Sequence, residues 1–282
     1  MTTASSAPQR IPLAAVVGTP IAHSKSPQIH RHWLKTYGIA GHYIPMDVVQ
    51  ENLATVLRML PKMGFVGVNV TIPHKEEVMR IADFITDRAT LIGAANTLIF
   101  RKDGKIHADN TDGYGFIENL RINAPDWAPS SGPAAILGAG GAARAVVASL
   151  IDAGVPEIRL SNRTRVRAEA LRADFGSRIV IYDWVQAGNM VDDAALLVNT
   201  TSLGMVGKGE LRVPMDGLRA ETVVTDLVYA PLKTALLATA EEAGCTTVDG
   251  LGMLLHQAVP AFERWFGTRP EVDRATRAAA LR

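Results

Sequence analysis

Near the middle of the chain, Ala135-Ile136-Leu137-Gly138-Ala139-Gly140-Gly141-Ala142-Ala143-Arg144 leaves few folds open. Three apolar residues read as the end of a buried strand, and an alanine-rich stretch from Ala143 to Leu150 reads as the start of a helix. Between them stands Gly138-x-Gly140-x-x-Ala143. A strand, glycine turn and helix in this order fit the pyrophosphate of a dinucleotide. The first glycine makes the tight turn, the second admits phosphate to the backbone, and the small third residue lets helix lie on strand. The N-terminus of the helix supplies free N–H groups and a partial positive charge that attract an anion. A plain Gly-rich turn would account for the glycines but not for the strand before and the helix after them.

With 282 residues the chain has room for about two domains, and the glycines start the second. The short tract from Pro125 to Pro133, rich in Pro, Ser and Ala, is the best boundary between them. A net charge of +1 with 20% charged residues implies neither a nucleic-acid surface nor an acidic tail. Cys245 is the only cysteine, which excludes an internal disulfide and a Cys-based zinc site; it reads as a small buried strand residue. His30 and His32 are two apart and share no helix face, so the histidines offer no metal cluster. The polar first ten residues lack the apolar core of an export signal, and no apolar run approaches the ~18 residues of a membrane span. A soluble, cytoplasmic protein is expected, without nucleic-acid or membrane partners.

Before the boundary, strands are expected at Leu13–Val17, His42–Val48 and Phe65–Val70, and helices at Pro27–Tyr37, Glu51–Leu60, His74–Ile81 and Phe84–Thr90. Thr97–Phe100 and Lys105–Ala108 flank an Asp-Gly turn and read as a hairpin, giving a mostly parallel sheet with one antiparallel strand. A helix from Thr111 to Ile122 closes this half. Beyond the boundary, strands near residues 135, 158, 179, 196, 223 and 246 alternate with helices in a doubly wound pattern. A helix from Leu251 to Phe266 contains Pro260, and the Arg/Ala-rich end after it is expected to fray.

Four strand ends in the first half carry polar clusters. Ser24 and Ser26 stand before Pro27, where Ser26-Pro27 reads as an N-cap with proline at N1, or as hydroxyls offered to an anion. Thr71 and Lys75 follow the third strand; Lys75 would lie in a first helical turn, where the dipole disfavours its charge, or be a solvated surface lysine. Asn96 reads as a turn residue and Asp112 as a first-turn acid when each is taken alone. Together they place hydroxyl, amide, amine and carboxylate groups at the strand ends where open α/β sheets bind ligands. Such a set suits a small polyhydroxylated acid, with Lys75 and Asp112 able to move a proton.

Over nearly its whole length the chain resembles the shikimate dehydrogenase family. The matching segments are Gly18 to Pro27, Asn69 to Lys75, Gly93 to Thr97, Asp109 to Gly113, the glycine loop, Asn162-Arg163-Thr164, Asn199 to Met205 and Asp249 to Ala258. The resemblance implies an N-terminal three-layer α/β substrate domain (1–125) and a C-terminal Rossmann-type NADP domain (126–249), with a helical end from about 250 to 282 returning to the first. It implies reversible NADPH-dependent reduction of 3-dehydroshikimate to shikimate. Lys75 and Asp112 would be the catalytic pair. Ser24, Ser26 and Tyr229 would bind the substrate carboxylate, and Thr71, Asn96, Asp112 and Gln257 the ring hydroxyls. NADP would rest on Gly138, Gly140, Gly141, Ala142, Asn162, Arg163, Thr164, Arg167, Thr200, Gly250 and Met253. Asn162 stands about where NAD-binding relatives carry an acid, so no carboxylate there would repel a 2′-phosphate. His256 receives no role. Alternatives are a quinate/shikimate dehydrogenase with broader substrate or NAD use, an aminoshikimate-type relative, a folate-dependent enzyme of similar plan and a non-catalytic dinucleotide-binding regulator. A monomer and a homodimer fit equally well.

Overall fold

The computed structural model describes residues 11–282; the polar leading stretch, residues 1–10, lies outside the described residues. The chain divides into two compact units, one running to Thr111 and taken up again at Ala258–Arg282, the other Asp112–Gln257.

The first unit holds β1 (Leu13–Gly18), α1 (Ser26–Thr36), β2 (His42–Asp47), α2 (Leu53–Met59), β3 (Phe65–Val70), α3 (Val78–Ile81), β4 (Phe84–Ile85), α4 (Asp87–Ile92), β5 (Thr97–Phe100) and β6 (Ile106–Asp109). Its six strands lie in the order β2-β1-β3-β5-β6-β4. Only β5 runs against the rest, paired with β3 on one side and β6 on the other. Because it is reversed, its first residues lie at the same edge as the last residues of β3 and β6, with Thr97 opposite both Asn69 and Asp109. Ala15, Val17, Leu53, Leu57, Val68, Leu98 and Ile106 form the core on one face of this sheet. Each large apolar side chain so buried contributes about 1.5–3 kcal/mol of transfer free energy.

The second unit holds α5 (Asp112–Asn123), β7 (Ala134–Leu137), α6 (Gly141–Ala153), β8 (Ile158–Ser161), α7 (Arg165–Phe175), β9 (Ile179–Tyr182), β10 (Leu196–Asn199), β11 (Val223–Asp226), α8 (Ala235–Glu242) and β12 (Thr246–Val248). All pairs are parallel, in the order β12-β11-β10-β7-β8-β9. Numbered within this unit, that is the 3-2-1-4-5-6 order of a dinucleotide-binding sheet, with β7 and β10 at the point where the winding reverses. The long helix α9 (Gly250–Phe266), with Pro260 inside it, begins in the second unit and ends in the first, and α10 (Arg274–Ala280) completes the first.

Several local expectations are corrected. The helix expected at His74 begins only at Val78, because the Lys75 carbonyl accepts from Ala95 N–H at 2.8 Å instead of from its own helix. Phe84–Ile85 is a strand rather than a helix start, its flanks held by Asp83 N–H on Ile106 O (2.9 Å) and Thr86 N–H on Ala108 O (3.1 Å). Cys245 is buried as expected but immediately precedes β12, its thiol on Arg219 O at 3.1 Å. The C-terminal segment does not fray. Asp273 caps α10 through Thr276 N–H at 2.7 Å, and the Trp33 indole donates to Thr276 Oγ1 at 3.2 Å. Among the described residues no helix is long and apolar enough to cross a membrane.

Candidate active site

In the first unit the polar clusters meet at one sheet edge. Gly18 ends β1 so close to the loop after β3 that a Cβ there would lie 2.5 Å from the Thr71 methyl and 3.0 Å from Ile72 O. Thr71 N–H donates to Val17 O at 2.9 Å and Thr19 N–H to Ile72 O at 3.2 Å, fixing the two loops side by side. Ser26 is the first residue of α1, not its cap; Lys25 precedes the helix and no side chain caps it. Ser24 Oγ takes up the Ser26 N–H instead, at 3.4 Å. Ser26 is buried, and burial pushes the nearby Tyr43 phenol well above its usual range.

Asn96 knits the rest of this edge together. Its N–H donates to Asp109 O (3.1 Å), its carbonyl accepts from Val70 N–H (2.8 Å), and its side-chain Oδ1 accepts from Thr111 N–H (2.9 Å). Its Nδ2 lies 3.0 Å from Thr111 Oγ1. With Ala95 N–H on the Lys75 carbonyl, an unbroken run of hydrogen bonds joins the backbone of Lys75 to the residue directly before Asp112. Asn69 belongs here too and received no role from the sequence. Its amide reaches Asn96 O and Thr97 Oγ1 (3.2 and 3.3 Å) and accepts from the Tyr43 hydroxyl (2.7 Å). The signal for it was an asparagine inside the otherwise apolar strand Phe65–Val70.

In the second unit Asp112 opens α5 and is buried. One turn on, Gly115 lets α9 pass: a Cβ there would lie 2.6 Å from Gln257 N and from Met253 O. A Cβ on Gly252 of α9 would lie 1.7 Å from Asn119 Oδ1 of α5, and Asn119 Nδ2 holds Asp249 O at 2.8 Å. Asp112, Met253 and Gln257 are thus set by one helix crossing. Gly250 starts α9 against the backbone of Asp226 and Leu227, and half-buried Tyr229 follows in the same loop, its phenol pushed up by burial.

The glycine loop fits a pyrophosphate. Gly138 has φ +107°, and a Cβ would meet Thr200 Oγ1 at 2.6 Å. Thr200 donates N–H and hydroxyl to Leu137 O, both at 2.8 Å. Gly140 and Gly141 are exposed with open space where a Cβ would stand, and no side chain caps α6, leaving its amides to an anion. Ala142 follows in the first turn. Asn162 Oδ1 accepts from Ala139 N–H at 3.2 Å and its Nδ2 donates to Thr164 O at 2.8 Å, so the residue after β8 is tied to the loop. Thr164, Arg163 and Arg167 are exposed around the N-terminus of α7. Of the arginines there, Arg165 is taken by Glu169 and Asp183 at 2.9 and 2.5 Å, while among the described residues no carboxylate pairs with Arg163 or Arg167. A 2′-phosphate fits those two residues.

Two family models match the chain: the shikimate dehydrogenase substrate binding domain over residues 16–98 and the shikimate 5'-dehydrogenase C-terminal domain over residues 250–280. Shikimate dehydrogenase (NADP(+)) of Cereibacter sphaeroides is 70% identical over 96% of this chain and 98% of its own. The enzyme of that name from Paracoccus denitrificans is 66% identical over 97% of each. Among solved structures, shikimate 5-dehydrogenase from Thermus thermophilus in complex with NADP(H) and shikimate superposes with a TM-score of 0.86 at 37% identity, covering 96% of this chain and 99% of that one. Quinate dehydrogenase from Corynebacterium glutamicum in complex with NAD gives 0.89 at 29% identity, with the same coverage.

Proposed function

The chain belongs to the shikimate dehydrogenase family and is an NADP-dependent oxidoreductase acting on a CH–OH group, and from that premise we propose how its residues share the interconversion of 3-dehydroshikimate and shikimate. Bound NADPH supplies the hydride. Lys75 gives a proton to the alkoxide that develops on the ring and takes it back in the reverse direction. Asp112 accepts hydrogen bonds that orient the lysine and the reacting hydroxyl. Ser24, Ser26 and Tyr229 hold the carboxylate; Thr71, Asn96 and Gln257 hold the other ring hydroxyls. The observation that carries this assignment is the hydrogen-bonded run from Lys75 through Ala95 and Asn96 to Thr111, which fixes the main chain at Lys75 and at the residue directly before Asp112. Preorganisation of that kind is what proton transfer in the transition state requires. Gly138, Gly140, Gly141 and Ala142 receive the pyrophosphate, Asn162, Arg163, Thr164 and Arg167 the adenosine phosphate, and Thr200, Gly250 and Met253 the remainder of NADP. All these residues come from one chain, so a monomer or a homodimer serves the reading, and a cytoplasmic setting suits it.

The likeness to the quinate dehydrogenase structure motivates a second reading, a broader enzyme using quinate or NAD. Steady-state kinetics with shikimate and quinate, each against NADP and NAD, separate the two. The expected order is shikimate with NADP first, and replacing Arg163 and Arg167 by serine should raise KM for NADP strongly and for NAD little. A kcat/KM higher with NAD than with NADP would place the second reading first.

A further inference from the structure

The loops after β10 and β11 converge on a buried carboxylate that has no part in the roles above. Asp226 ends β11 in parallel register with Asn199, the last residue of β10, and is 1% exposed. Its Oδ1 accepts from the Asn199 amide at 2.9 Å and from Val228 N–H at 3.0 Å, and its Oδ2 accepts from the Thr234 hydroxyl at 2.8 Å. Among the described residues no lysine or arginine pairs with it. A carboxylate without a cation in a dry site is costly, and an apolar residue of similar size would fill the space at less cost. Packing does not explain this residue; the geometry of what it holds does.

Asn199 spends the rest of its amide on the loop that follows it. Its Oδ1 accepts from Thr201 N–H and hydroxyl at 3.0 and 2.7 Å, and its Nδ2 also donates to Leu203 O at 3.1 Å. Between these anchors lies Thr200, which is pinned to the residue before Gly138. On the other side Val228 N–H fixes the peptide leading into Tyr229. The Asp226 carbonyl would lie 2.7 Å from a Cβ at position 250, so the same short segment seats the start of α9.

We propose that Asp226 is a positioning residue that sets the Thr200 segment and Tyr229 in register from a single buried anchor, so that cofactor and substrate carboxylate are gripped together. This rests on the roles given above to Thr200 and Tyr229.

The test is KM and kcat for NADP and shikimate, with melting temperature, in Asp226→Ala, Asp226→Asn, Asn199→Ala, Thr200→Val and Tyr229→Phe. Asp226→Ala should raise both KM values, each by roughly tenfold or more, as displaced positioning groups do. Asp226→Asn should recover most of this, since its Oδ1 can keep Asn199 and Val228 while its Nδ2 donates to the Thr234 hydroxyl. Asn199→Ala cuts only the Thr200 arm and should raise KM for NADP alone; it decides the matter if Asp226→Ala does not fold. A lower melting temperature with both KM values unchanged in Asp226→Ala, or no effect of Asn199→Ala on NADP, overturns the anchor. If Thr200→Val and Tyr229→Phe change neither KM, the underlying roles fall and the anchor with them. If they do change them while Asp226→Ala does not, the anchor alone falls.

Discussion

Lys75 is held by its carbonyl rather than by a helix, and that detail separates what its side chain does from what its backbone does. Because Ala95 takes the carbonyl at 2.8 Å, truncating the side chain leaves the loop's hydrogen bond in place. Lys75→Ala should therefore fold normally and lose ~10²–10⁴-fold in kcat, the usual cost of removing a proton-transfer group, with shikimate KM changed modestly. A near-normal kcat with a raised KM would make Lys75 a binding residue instead. The chemistry of this lysine was legible from its neighbours in sequence. Its setting was not, since the partner that fixes it lies twenty positions away and reaches it only because β5 runs backwards. Asn69 and Asp226 escaped notice for a related reason. Each is one polar residue at or near the end of an apolar strand, and its value appears only when the neighbouring strand brings its hydrogen-bond partners, acceptors for the Asn69 amide and a donor for the Asp226 carboxylate.

Elements were legible where periodicity was long and misread where tertiary bonds overrode it. The sheet strands other than β4, and the helices α1, α5, α6 and α9, fall within a residue or two of the pattern. The stretch after Pro73 did not become a full helix because a neighbouring strand end claimed its carbonyl, and α10 is ordered by a buried tryptophan 243 positions away. Which helix faces which was not readable at all; glycines decide it. In α5, Gly113 lies against Ala145 O and Ser149 of α6, and Gly115 against the backbone of α9. Alanine in a helix interior is intrinsically better than glycine by about 1 kcal/mol. At position 115 the new methyl would meet main chain that cannot rotate away, and overpacking of that kind costs typically about 1–3 kcal/mol. Gly115→Ala should thus lower the melting temperature and raise KM for shikimate, because Gln257 sits on the displaced backbone. A more stable variant with unchanged KM would show that the helices do not approach so closely.

For the molecule as a whole, alternation of strands and helices made two α/β sheets legible, and the glycine loop made the second a doubly wound one. The antiparallel β5 followed from one Asp-Gly turn. What composition could not show is how stability depends on pH. With a net charge of +1, long-range repulsion is small at neutral pH, so individual carboxylates set the acid limb. Two buried ones pull in opposite directions. Burial pushes the Asp226 carboxyl up against its three donors. Above the unfolded value of about 3.9 the unfolded chain is then the more ionised, and stability falls as pH rises toward the folded value. Burial would push Asp109 up as well, but the Arg88 guanidinium, the Thr86 hydroxyl and Asn110 N–H hold it below the usual range. Here the unfolded chain binds the proton first. The stability from Asp109 is complete above about 3.9 and is lost as pH falls through the depressed folded value. Asp109→Asn removes this contribution at every pH where the carboxylate is charged. Urea melts from about pH 7 down to about pH 3 should therefore show the wild type ahead by a constant margin at first, with the gap closing only in the acid window. A gap that stays constant to the acid end would mean that Asp109 acts through shape alone and that Arg88 lends its charge nothing.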